Sequence, residues 1–154
     1  MARVRKNKQT EGDILLIGQN NHKYCFARVL REPFVAFYDL ITDEQPELVT
    51  ITSAPIAFII AVMNHAIISG TWSIIGNKTL PEELRQEPLF CKKDAITGNM
   101  FIYRDSTGEE YPATQEQCKN LEVAAVWEPD HVEDRLQDYF AGRLNKWEQN
   151  LRLS

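Results

Sequence analysis

Short apolar runs bounded by turn-forming residues recur along this chain, and they constrain its fold more than any other feature. "GDILLIG" (12–18) has glycine at both ends, and "HKYCFARVLR" (22–31) alternates Tyr24, Phe26, Arg28 and Leu30 against Lys23, Cys25, Ala27 and Val29. A period of two over segments this short predicts strands. Gln19, Asn20 and Asn21 lie between them, and asparagine tolerates left-handed backbone, so the pair is expected to form an antiparallel hairpin. Pro33 then permits "FVAFYDLI" (34–41) as a third strand.

Residues 42–55 are polar and proline-bearing and read as a connection, whereas "IAFIIAVMN" (56–64) reads as a buried strand and "TWSIIG" (71–76) as another. Pro81 suits the first position of a short helical turn, where its missing N–H has no partner. "LFCKKD", "NMFIYR" and "EEYP" are further strands separated by the turn chemistry of "AITGN" and "DSTGE". Thr114 and Gln117 form a capping box at the start of a helix, and "EVAAVW" (122–127) is a last strand.

From Glu128 the period changes. Val132, Leu136, Tyr139 and Phe140 form one apolar stripe on a helix with Pro129 at its first position. Asp130, Glu133 and Asp134 fall in its first turns, where the helix macrodipole favours carboxylates. His131 has no second histidine within reach in sequence and reads as a solvated or capping residue. Gly142 ends the helix, and Leu144, Trp147 and Leu151 suggest a further amphipathic piece.

The resulting expectation is an α+β fold: a strongly bent antiparallel sheet that could close into a small SH3-like barrel, with helices mainly in the C-terminal third. The organisation expected is a basic N-terminal arm over residues 1–10, a single domain over 11–141, and a C-terminal amphipathic helical tail over 142–154.

Charge narrows the function. The chain of 154 residues has 17 basic and 22 acidic residues, net −5, yet its first ten residues hold Arg3, Arg5, Lys6 and Lys8 and no acid. The remainder is therefore more acidic than the total suggests. Such a body repels phosphate backbones and attracts cationic partners. A basic arm on a small barrel would suit a nucleic-acid-binding or regulatory module, and that is the alternative reading, but the acidic body disfavours nucleic acid.

Cys25, Cys91 and Cys118 are odd in number and show no C-x-x-C spacing, which suits a reducing compartment such as the cytoplasm. Glu11, Gly12 and Asp13 interrupt any signal-peptide reading, and the apolar stretch 54–70 is broken by Asn64 and His65, so no membrane association is expected. None of the motifs G-x-S-x-G, G-x-x-x-x-G-K or G-x-G-x-x-G occurs. No catalytic residue, metal ligand or cofactor is assigned, although a fold could still bring Cys25 or Cys91 next to His65.

"GDILLIG" with "YCFARVL", then "VAFYDL", "SGTWSIIGNKTLPEEL", "FCKKDAITGNMFIY" and "AAVWEPDHVEDRL" together resemble the immunity protein 26 family of bacterial polymorphic toxin systems over about residues 11–138. The matching elements are Gly70 and Trp72, then Gly76, and Trp127, Glu128 and Pro129, all read as structural. The resemblance implies a cytoplasmic, non-catalytic protein that binds and neutralises a cognate toxin domain, a nuclease being one candidate. It names no contact face. Acidic residues near expected turns are the candidates for partner binding: Asp43, Glu44 and Glu47, and Glu109 with Glu110.

Overall fold

The computed structural model describes residues 8–153. Arg3, Arg5 and Lys6 of the basic arm lie outside the described residues. Strands β1 (Asp13–Gly18) and β2 (Tyr24–Val29) pair antiparallel with Leu16 opposite Phe26. Their connection is one 3-10 turn over Asn20–His22, in which Asn21 and His22 take φ of 69° and 59°. Asparagine in the left-handed region closes the turn without a glycine.

Strands β3 (Phe34–Thr42) and β4 (Ile56–Val62) extend the sheet beyond β2, while β5 (Trp72–Asn77) returns to the free edge of β1. A second sheet is built from β6 (Phe90–Lys93), β7 (Met100–Arg104) and β8 (Glu109–Ala113). The expected last strand is divided: β9 (Glu122–Val123) joins the second sheet parallel to β6, and β10 (Val126–Trp127) joins the first parallel to β4.

The fold is therefore α+β as expected, but with two open sheets, of order β10-β4-β3-β2-β1-β5 and β8-β7-β6-β9, instead of one bent sheet closed into an SH3-like barrel. Closure would require β10 and β5 to pair edge to edge, and a strand of two residues offers too few backbone groups to do so.

Among the described residues, six α-helices connect or cover these strands. Two short ones, α1 (Leu48–Thr52) and α2 (His65–Ser69), fall within the first sheet's connections. The sequence suggested plain connection where α1 forms; Ile51, fully buried against Ile14, Phe26 and Tyr38, pins that turn. In α3 (Glu82–Arg85), Pro81 is the extended residue before the helix and not its first helical position. The capping box opens α4 (Gln115–Cys118), and α5 (Pro129–Ala141) starts at Pro129 and stops at Gly142 with φ 69°. The tail forms α6 (Lys146–Leu153).

Strand alternation sends two sets of side chains to opposite faces of the first sheet. Leu15, Ile17, Ala27, Val35, Phe37, Phe58 and Ile60 meet Ala66, Ile67, Val132 and Leu136, with Trp147 and Leu151 of α6 packed beside them. The other face is covered in two patches. Ile14, Phe26 and Tyr38 lie under Ile51, and Phe34 and Ala36 lie under Leu80 and Phe90. Coverage on both sides explains why β2 and β3 are nearly continuously buried, a pattern usual for strands inside a layered sheet. At about 25 cal/mol per Å² of apolar surface removed from water, this burial is the main source of stability.

Tail and body are tied by polar contacts as well. Asn145, buried, donates to Asp138 Oδ2 at 2.9 Å and accepts from the Glu148 amide at 3.0 Å, while Trp147 Nε1 donates to Asp134 at 3.0 Å. Arg152 reaches the carbonyls of Cys118 at 3.4 Å and Leu121 at 2.5 Å. Leu144 takes no part in this packing and is 81% exposed.

Two stability predictions arise here. Gly12 has φ +92°, and a Cβ on it would stand 2.4 Å from the Lys78 carbonyl oxygen. Gly12→Ala should cost about 1 to 3 kcal/mol from the strained φ alone, and more once Lys78 is displaced, read from urea midpoints. Burial raises the pKa of Glu133; nearby Trp72 opposes the rise and the Asp130 and Asp134 carboxylates add to it. A raised acid favours its protonated form in the fold, so its cost appears as pH climbs through the unfolded value of about 4.3 and is complete above the folded one. Glu133→Gln should therefore be more stable than the parent at pH 7, with the advantage fading below about pH 4. Thermal midpoints with the same offset at both pH values would contradict this.

Candidate partner-binding surface

Asp43 and Glu44 occupy the loop after β3, and Glu47 is the residue before α1, with no capping bond from its side chain. All three are exposed. Lys23, at the start of β2, pairs with Asp43, so one of the three charges is locally answered. Thr42 Oγ1 donates to the Glu44 carbonyl at 2.6 Å, which fixes the loop backbone while its carboxylate stays in solvent.

Glu109 and Glu110 do not lie on a loop. They open β8, the outer strand of the second sheet, opposite Arg104 and Tyr103. Glu110 accepts from Lys92 Nζ at 2.8 Å, and Glu109 accepts from the Tyr111 hydroxyl. Among the described residues no hydrogen bond or ion pair joins these two glutamates to the Asp43, Glu44 and Glu47 group, and the two groups belong to different sheets. The fold thus offers two separate acidic places, and Glu44, Glu47 and Glu109 are the carboxylates of the set with no ion pair among the described residues.

The glycine and tryptophan elements are built into the interior. Gly70 ends α2 with φ 85°, and its N–H donates to the Ile67 carbonyl. That stop delivers Trp72 into the core at 0% exposure, edge-on to Phe37 with ring centroids 5.8 Å apart. A Cβ on Gly76 would lie 2.7 Å from Leu48 Cδ1, so α1 settles onto β5 at this glycine. Trp127 is buried, Pro129 is the first residue of α5, and Glu128 before it accepts a hydrogen bond from His65 Nε2 at 3.1 Å.

Sequence reasoning missed Arg135. It lies on the same face of α5 as Val132 and Leu136, buried, and holds Glu122 of β9 in a two-point pair at 2.8 and 2.9 Å, with Glu148 of α6 at 3.4 Å. Its guanidinium covers the Phe58 ring at 3.9 Å and the Trp127 ring at 5.0 Å. Tyr139, counted in the apolar stripe, is instead 41% exposed. The one available signal was an arginine inside an otherwise apolar helical face.

His131 is not merely solvated: its ring stacks on Trp147 at 3.5 Å and 12°. Beside this pair an open cleft of about 450 Å³ runs between β10 and α6, lined by Val126, Trp127, Glu128 and Leu151. The three histidines do not converge, since His22 sits in the first hairpin turn, His65 by Glu128 and His131 on Trp147. His65 meets neither thiol. Cys25, Cys91 and Cys118 are all buried and unbridged. Burial pushes the Cys25 thiol up to about 12, and burial with a contact from Cys118 does the same for Cys91. Such thiols stay protonated at neutral pH and are weak nucleophiles.

Among the described residues, no three His, Cys, Asp or Glu side chains gather as a metal site, and no helix is long and apolar enough to cross a membrane. Comparison with known families matches residues 10–102 to Immunity protein 26, more than half of the chain. The match ends within β7, so Trp127, Glu128 and Pro129 lie outside it. Searches of curated proteins and of solved structures return no significant match. On the strength of the family match, running from the first hairpin through Trp72 to the second sheet, this chain belongs to the immunity protein 26 family.

Proposed function

We propose that this protein binds and neutralises a cognate toxin domain of a bacterial polymorphic toxin system without making or breaking a bond itself. The observation that carries this reading is the family match over residues 10–102. An inhibitor of this kind needs a rigid scaffold and a complementary field that speeds encounter, not a reactive group. The layered core supplies the scaffold, and the acidic balance of 22 to 17 supplies the field. A nuclease is the toxin class best suited to it, because a cleft that binds nucleic acid is cationic and attracts an acidic body. The place of action is then the cytoplasm, where such a toxin meets its substrate. The open sheets and the acidic balance favour this reading over the alternative, a nucleic-acid-binding or regulatory small-barrel module.

Contact is assigned first to Asp43, Glu44 and Glu47, with Glu109 and Glu110 as a second place. On this reading a toxin gene lies immediately upstream; co-expression with the C-terminal domain of that toxin should restore growth, and the two purified proteins should form a complex. Failure of both would remove the toxin-binding reading. Reversing Asp43, Glu44 and Glu47 to lysine should slow association about tenfold at low ionic strength and flatten its salt dependence, with the far-ultraviolet dichroism unchanged. Unaltered association kinetics would exclude that loop from the contact.

A further inference from the structure

Two arginines are buried among the described residues, and they are treated differently. Arg135 faces two carboxylates. Arg28, on β2 and only 2% exposed, has no carboxylate among the described residues within 4.0 Å. Its partners are neutral: Nε donates to the Gly12 carbonyl at 3.0 Å, Nη1 to the Tyr38 hydroxyl at 3.1 Å, and Nη2 to the carbonyls of Lys78 at 2.7 Å and Thr79 at 3.2 Å. Asp13, the buried acid nearby in the strand pair, directs its oxygens to the Thr10 amide and to Asn77 Nδ2. A guanidinium stays charged at every accessible pH, and a buried charge without a counter-charge is costly.

A guanidinium has five N–H groups. Four are placed by these bonds, which leaves one on Nη1. The Tyr38 hydroxyl accepts from Arg28 and keeps its own proton to give. Both side chains line an open cleft of about 420 Å³ between β3 and the segment that leads into α3. Ile56, Pro81 and Leu84 make its walls apolar, the exposed Lys78 stands on its rim, and Glu83 is the acid that lines it. Two donors 3.1 Å apart match the two oxygens of one carboxylate. A dianion such as phosphate needs more donors than remain and would be repelled by Glu83.

We infer that this cleft is a binding site for a carboxylate with an apolar flank, held by Arg28 Nη1 and the Tyr38 hydroxyl. The ligand supplies the negative charge that the fold withholds from Arg28. The inference does not rest on toxin binding, since it uses other residues and a charge of the opposite sign. The carboxylate comes either from a free small acid or from the end of a polypeptide.

The test is a nuclear magnetic resonance titration of the full chain with N-acetyl-leucine and with N-acetyl-leucinamide, at neutral pH and low ionic strength. The acid should shift the amides of Ala54, Thr79 and Leu84 saturably and the amide should not. Tyr38→Phe should weaken binding at least about fivefold, the loss of one charge-assisted hydrogen bond. Glu83→Gln should tighten it, a change that a merely structural role for the cleft would not produce. A hexapeptide ending in leucine that binds more tightly than the single residue assigns the site to a chain terminus, and equal binding assigns it to a small acid. No saturable shift from either probe, or equal shifts from acid and amide, overturns the proposal.

Discussion

The buried guanidinium of Arg28 ties β2 to the segment after β5, which no strand pairing joins to it. It sits next to the end of β2 and reaches Gly12 before β1, Tyr38 on β3, and Lys78 and Thr79 after β5, up to 51 residues away. The carbonyls of Lys78 and Thr79 would otherwise be unsatisfied acceptors at the border of the core, which costs about 1 to 3 kcal/mol apiece. The same crossing explains Gly12: the backbone of Lys78 passes where a side chain would stand, and its N–H donates to the Gly12 carbonyl at 3.1 Å. Where β5 leaves the first sheet, and so where Leu80, α3 and the second sheet begin, is set at this point.

A second arginine performs the equivalent task at the other end. The segment from Glu122 to Trp127 gives two residues to each sheet, and Arg135 holds its first residue while lying over the ring of its last. Glu148 brings α6 into the same cluster. A buried arginine with two carboxylates and two aromatic faces is fully answered, so it fixes the geometry of β9, β10, α5 and α6 relative to one another.

These two clamps give a physical meaning to the extent of the family match. Residues 10–102 include β1 to β6 and the first part of β7. They omit α5 and α6, whose Val132, Leu136, Trp147 and Leu151 cover the face presented by Leu15, Phe37 and Ile60. That face is too apolar to be left in water, so the matched part depends on the rest of the chain for its second layer. The acidic residues proposed for partner contact make no bond to either clamp and lie on a loop and on an outer strand.

Local chemistry alone determined a good deal. Period-two alternation in the first hairpin, and short apolar runs between turn residues beyond it, located β1 to β8; Asn21 made the hairpin turn, Thr114 and Gln117 made the capping box, and Pro129 and Gly142 bounded α5, because each depends on residues only a few positions apart. Tertiary structure decided the remainder. The division of "EVAAVW" between two sheets, the docking of α6, the stacking of His131 on Trp147 and the separation of the two acidic groups all depend on partners distant in sequence. Arg28 and Arg135 show the limit most clearly. Alternation put one in a strand and the helical stripe put the other beside apolar neighbours, but whether a buried cation meets a carboxylate or only carbonyls is settled by which distant backbone arrives beside it.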